Sequence, residues 1–178
     1  MNQTPDPRHF SSPTGDDCPH LRFIERMGDH MELEGMPRIA GRLFGLFLVD
    51  PGPISFSELA ERLSISRGSI STNTRLLEGK GLIERVDVPG ERQDYFRLAD
   101  RPFVNMIHGI TARMRETMET IEADCRARKD AGVAQSAEAA GEPVPGGMRA
   151  AHEFFAECIG TLEGLAARLA KRGGEVKP

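Results

Sequence analysis

The sequence predicts a mainly α-helical chain that carries one small β-hairpin, and three observations predict it. Long stretches place apolar residues at helical spacing, residues 82–98 hold two strand-like runs, and the breakers Asp50-Pro51-Gly52-Pro53 and Pro89-Gly90 interrupt these patterns. At 178 residues the chain has room for one compact domain plus accessory helices.

Residues 1–19 are rich in Pro, Ser and Gly with little apolar content, so they are expected to form a flexible tail. N-terminal helices are expected over 20–50. Phe23, Ile24, Met27 and Met31 share one face of the first, which Gly35 ends. Pro37 opens the second, where Ile39 through Val49 is apolar apart from Arg42, making it the most buried helix. Gly41 and Gly45 on it suit the close packing of helices.

Between 51 and 100 the order is helix, turn, helix, hairpin. Ser55 is placed to cap a short helix whose Phe56, Leu59, Ala60 and Leu63 turn inward. Ser66 can cap the next, with Ile70, Thr74 and Leu77 at i, i+4 and i+7 as its inward face. Leu82 to Val88 and Tyr95 to Leu98 supply the hairpin strands. A long helix over 101–130 follows, with its stripe on Phe103, Ile107, Ile110, Met114, Met118, Ile121 and Cys125. Residues 131–147 read as a linker. The last helix, over 148–178, carries a stripe from Ala151 through Phe155, Ile159 and Leu165 to Leu169. A small head cannot bury both stripes, so these are expected to be dimerisation helices.

Composition removes several function classes. A formal net charge of -4 argues against a protein that coats nucleic acid indiscriminately. With no Trp and a single Tyr, an aromatic platform for single strands is disfavoured. There is no secretory pattern and no apolar run of the ~20 residues that span a bilayer, so no membrane association and a cytoplasmic location are expected. Cys18, Cys125 and Cys158 are odd in number and far apart, which fits reduced thiols, and the five His residues show no metal spacing, so neither metal nor cofactor is expected. Neither a G-x-S-x-G elbow nor a phosphate-binding loop is present, so no catalysis is expected.

The second helix of a helix-turn-helix enters the major groove and presents short polar or basic residues to phosphates and base edges. Here Arg67, Ser69, Ser71, Thr72, Asn73 and Arg75 fill that role, and between Ser64 and Gly81 the cations Arg67, Arg75 and Lys80 face Glu78 alone. On composition alone such a face is more often merely solvated. The hairpin behind it shifts the balance. Arg85 and Arg97 on its strands could touch phosphate or equally be satisfied by Glu84, Asp87 and Asp94.

The run Ser66-Arg67-Gly68-Ser69-Ile70-Ser71, then Leu77-Glu78-Gly79-Lys80-Gly81-Leu82-Ile83-Glu84-Arg85-Val86, then Gly90-Glu91-Arg92-Gln93-Asp94-Tyr95-Phe96 resembles the MarR-type winged helix-turn-helix regulators, and most resembles their GbsR-like branch. The likeness extends upstream through Gly35 to Gly45. It implies a homodimer joined through N- and C-terminal helices, binding to palindromic double-stranded DNA, and repression relieved by a small effector. It also implies that Arg92 on the wing reaches a minor groove. The wing departs from the commonest pattern, a denser run of Asp and Arg, by having Gln93 and Asp94 after Arg92.

The GbsR-like resemblance further implies a quaternary ammonium effector such as choline, held by cation–π contacts. Phe23, Phe44, Phe47, Phe103, Phe154 and Phe155 are the available rings, although Phe at this spacing is more often plain core. Two other readings stay open. One is a winged helix that serves only protein interaction; the other is a thiol-based redox sensor, for which Cys125 beside Arg126 and Arg128 is the candidate.

Overall fold

A computed structural model describes residues 18–130 and 145–172; apart from their edges, the tail expected over 1–19 and the linker expected over 131–147 lie outside the described residues. The chain divides into two compact units. One runs through Gly79 and resumes at Ile83–Leu98; the other takes Lys80–Leu82 and the chain from Ala99 onward.

The first unit contains α1 (Pro19–Leu33), α2 (Arg38–Val49), β1 (Ile54–Ser55), α3 (Phe56–Leu63), α4 (Arg67–Gly79), β2 (Ile83–Val86) and β3 (Tyr95–Leu98). Pro19 and Pro37 stand at helix starts, where a missing N–H costs nothing. The helices α1 and α2 meet through glycine. A Cβ on Gly41 would stand 2.5 Å from the Met27 carbonyl oxygen and 2.8 Å from Gly28 Cα, so the two backbones touch where any larger residue would force them apart. Beside this seam Arg42 donates to Glu25 at 2.7 Å and to the Leu63 carbonyl at 3.1 Å, which ties α2 to both α1 and the end of α3.

The sheet is antiparallel with order β1-β3-β2, and Ile54 pairs with Phe96 while Arg85 pairs with Phe96 from the other side. Sequence periodicity pointed to two strands. The third, β1, is two residues long, too short for any alternation, and is held because Ile54 is buried in the core. Leu43, Phe47, Leu59, Ile70, Leu77 and Phe96 are sealed with it. The fold is therefore mainly helical with a small sheet, the winged helix-turn-helix class that the element order implies.

The second unit is built from α5 (Pro102–Asp130) and the last helix, here α6 (Gly146–Arg172). Its core is Val104, Ile107 and Ala166, flanked by Leu162, Leu169 and Ala170. The expected stripe on α5 started at Phe103, but Phe103 is exposed, and Val104, Ile107 and Thr111 form the buried face instead. Gly81, at φ +65°, leads into this unit, and Asn105 Nδ2 donates to its carbonyl at 2.7 Å. A Cβ there would meet Asn105 at 2.9 Å, so both backbone hand and space require glycine.

Candidate nucleic-acid interface

Local chemistry fixes the helix-turn-helix. Ser55 Oγ accepts from the Glu58 N–H at 3.2 Å and caps α3. Arg62 pairs with Asp50 at 2.7 Å and with Glu58 one turn earlier. Partial burial works against the charge of Arg62, yet hydrogen bonds from both carboxylates hold its pKa above the ordinary guanidinium value. Ser64 closes α3 in the left-handed conformation at φ 52°. Two residues on, Ser66 Oγ accepts from the Ser69 N–H at 3.3 Å at the start of α4.

Along α4 the inward face is Ile70, Thr74 and Leu77, all essentially sealed, with Thr74 Oγ1 returned to the Ile70 carbonyl at 2.9 Å. Arg67, Thr72 and Arg75 are exposed, while Ser69 and Ser71 are half-buried. Asn73 departs from the expectation of an outward side chain. It is 6% exposed, Nδ2 donates to the Ser69 carbonyl at 2.8 Å, and Oδ1 is buried with no hydrogen-bond partner among the described residues. Its place three residues after Ile70 and four before Leu77 puts it on the buried side of a 3.6-residue helix.

The arginines of this surface fall into two groups. Arg67 folds back on α3: its guanidinium lies 5.6 Å from the centroid of the Phe56 ring and Nη2 donates to Ser57 Oγ at 3.3 Å. Arg85 pairs with Asp94 at 2.9 Å and approaches Glu78 at 3.7 Å, with its guanidinium 5.4 Å from the Phe96 ring centroid. It braces the end of α4 against the wing, a role that alternation along a strand does not reveal. Arg97 pairs with Glu84 across the β2–β3 ladder at 2.5 Å. Arg75 on α4 and Arg92 on the wing, just past Gly90 at φ +88°, are exposed and have no intramolecular partner among the described residues.

The proposed aromatic cage is not brought together by one unit. Phe23, Phe44 and Phe47 belong to the first unit and Phe103 and Phe155 to the second. Phe44 and Phe47 lie in the core with almost no surface, so neither offers a ring face to a ligand, whereas Phe23 and Phe103 are exposed. Phe154 and Phe155 meet edge to face at 5.5 Å. The three cysteines are free and partly exposed.

Residues 34–94, which run from the end of α1 into the wing, match the model of the MarR family. The HTH-type transcriptional regulator MmpR5 of Mycobacterium tuberculosis is 41% identical over 112 residues, 62% of this chain and 68% of that protein. The chain belongs to the MarR family. It is a DNA-binding transcriptional regulator with a winged helix-turn-helix. A solved structure of a transcriptional regulator, 33% identical, superposes with a TM-score of 0.69 over 85% of this MarR-family chain and 98% of that one. Two Bacillus subtilis proteins are similar over shorter spans. The putative HTH-type transcriptional regulator YvaV is 30% identical over 76 residues, 43% of each chain; the HTH-type transcriptional repressor OpcR is 30% identical over 74 residues, 42% of this chain and 40% of that one. No helix among the described residues is long and apolar enough to cross a membrane.

Proposed function

We propose that the chain acts as a homodimeric repressor on a palindromic operator, with residues 51–100 of each subunit as the DNA-reading region. The observation that carries this reading is the pair of exposed, unpartnered cations, Arg75 on α4 and Arg92 on the wing, set on a frame whose other arginines are engaged. In it α4 lies in a major groove. Arg75 and Thr72 face base edges, Ser69 and Ser71 approach the backbone, Arg92 grips the flanking minor groove, and Arg67 acts through α3 rather than on a base. Asn73, buried, orders the helix instead of reading sequence.

The dimer follows from apolar surface. Phe103, Met106, Phe154 and Leu165 are exposed on α5 and α6, and a second copy is the partner that would cover them. Repression is supported by the relative whose name says repressor, and the GbsR-like branch by the likeness from Gly35 to Leu98. Relief by a small effector and a cytoplasmic location complete the reading.

Fluorescence anisotropy with duplex DNA from beside the protein's own gene, titrated with salt, tests it. Affinity should fall steeply and log-linearly with salt, as phosphate neutralisation requires. Absence of binding at low salt would leave the winged helix as a protein-interaction module.

A further inference from the structure

The second half of α5 and the start of α6 enclose an open groove of about 520 Å³, apart from the DNA-facing elements. Its volume lies within the ~300–1,000 Å³ of small-molecule sites. Each helix lines it through residues spaced four apart, Ile121 and Cys125 on α5 and Met148 and His152 on α6, which puts both side chains of each pair on one face. Ile121, Cys125 and Met148 give it an apolar lining, and all three are partly open to solvent.

The charges at its edge are uneven. Glu122 Oε1 lies 3.0 Å from His152 Nε2, so this carboxylate is satisfied inside the groove. Arg126 donates through Nε to the Glu122 carbonyl of its own helix at 3.3 Å, which orients the guanidinium and leaves its Nη groups without a partner among the described residues. Arg149 adds a second guanidinium to the lining, against Glu153 as the remaining acid. An apolar lining beside an oriented, unfilled guanidinium is complementary to a molecule with an apolar body and an anionic end.

We propose that this groove binds a small molecule made of a short apolar body and a carboxylate. The body lies on Ile121, Cys125 and Met148, and the carboxylate is held by the Nη groups of Arg126 in the positive potential of Arg149. The site deepens the effector part of the proposed function and rests on that reading only for its consequence at DNA; binding itself does not depend on it.

Isothermal titration of the full chain without DNA tests the site with three probes that share one tail: octanoate, octan-1-ol and octyltrimethylammonium. Octanoate should saturate at one site per chain and bind about tenfold more tightly than either of the others. Arg126→Gln should bring octanoate down to the level of the alcohol. Cys125→Trp, which fills the groove, should remove binding while circular dichroism and light-scattering mass stay unchanged. Phe154→Ser, on an exposed ring outside the lining, should leave binding as it was. Equal binding of the alcohol or the cation would overturn the carboxylate assignment, as would an unchanged affinity in Arg126→Gln. A halved mass in Cys125→Trp would show the groove to be covered by a second copy, which also overturns the proposal. If the chain takes up octanoate as described yet ignores DNA, the function reading fails and the site stands.

Discussion

The unit from α1 to β3 seals Leu43, Phe47, Ile54, Leu59, Ile70, Leu77 and Phe96, whereas the core cluster of the helical pair is Val104, Ile107 and Ala166, with Phe103, Met106, Phe154 and Leu165 left in solvent. Both units use amphipathic helices, so the difference lies in what covers them. Five helices and strands close around α2, whose seven buried residues include three large ones, Leu43, Phe44 and Phe47, and two glycines that let α1 approach. The helices α5 and α6 have one another on one side and solvent on the rest. A close-packed core can carry the DNA-reading geometry by itself, while the helical pair holds apolar surface in reserve for other molecules.

The comparison is sharpest at single side chains. Phe47→Ala removes a sealed ring and should cost about 3–5 kcal/mol in chemical denaturation. Phe154→Ala, on a ring that is 61% exposed, should change the stability of a single chain by less than ~0.5 kcal/mol. Similar costs for the two would mean that the helical pair is as closed as the reading unit. Association should show the reverse order. Light scattering should give twice the chain mass of 19.6 kDa at micromolar protein, and Phe103→Ser with Phe154→Ser should move the population toward monomer while Phe47→Ala acts through unfolding. A mass of 19.6 kDa at every concentration would remove the reason offered for the exposed stripe.

How legible each unit was follows the same division. In the reading unit, spacing and caps sufficed for Ile70, Thr74 and Leu77, for Ser55 and Ser66, and for the glycine seam of α2, because a closed core leaves one way to place each face. Residue type misled where it outweighed angle. Asn73 is polar and was expected outward, but its position on the helix turns it inward, and its own-helix hydrogen bond to Ser69 satisfies half of the amide. Arg67 is on the expected face, yet its long side chain lies on Phe56, a tertiary contact that no local pattern encodes. In the helical pair the stripe was read one residue early, at Phe103 rather than Val104, since a large ring dominates any count of apolar residues. The groove around Cys125 and His152 joins two helices on either side of residues 131–144, and sequence gives no register for such a pairing.

Among the DNA-facing arginines, partnered and unpartnered groups should give different signatures. Arg75→Ala should relax sequence preference at one operator position by roughly 1–3 kcal/mol. Arg92→Ala should weaken specific and nonspecific binding together and make the salt slope shallower by about 1 per subunit. Arg67→Ala and Arg85→Ala should lower affinity for all sequences alike with the salt slope unchanged, since they act on geometry. Anisotropy on an operator and on scrambled DNA across a salt series separates the cases. A shallower slope in Arg85→Ala would make it a phosphate contact and end the distinction between bracing and reading arginines.

The smallest expected effects concern one polar contact from each unit. Ser55 is 7% exposed, and its Oγ is the acceptor that the Glu58 N–H uses at the start of α3. Ser55→Ala leaves that N–H near the protein interior with water as a poor substitute, and the loss should be about 1 kcal/mol and nearly independent of salt. Arg115 and Glu163 join α5 to α6, but their side chains are 47% and 48% exposed, so solvent screens their attraction and both lose rotamer freedom in holding the pair. Arg115→Ala should therefore cost less than ~0.5 kcal/mol at low salt. The residue of that effect should vanish at ~1 M salt, where the Debye length shrinks to about 3 Å. Thermal melts of both variants at low and high salt make the comparison. If Arg115→Ala matches Ser55→Ala and keeps its cost at high salt, α5 and α6 are held by a specific polar lock, and the contrast between a closed reading unit and an open helical pair no longer holds.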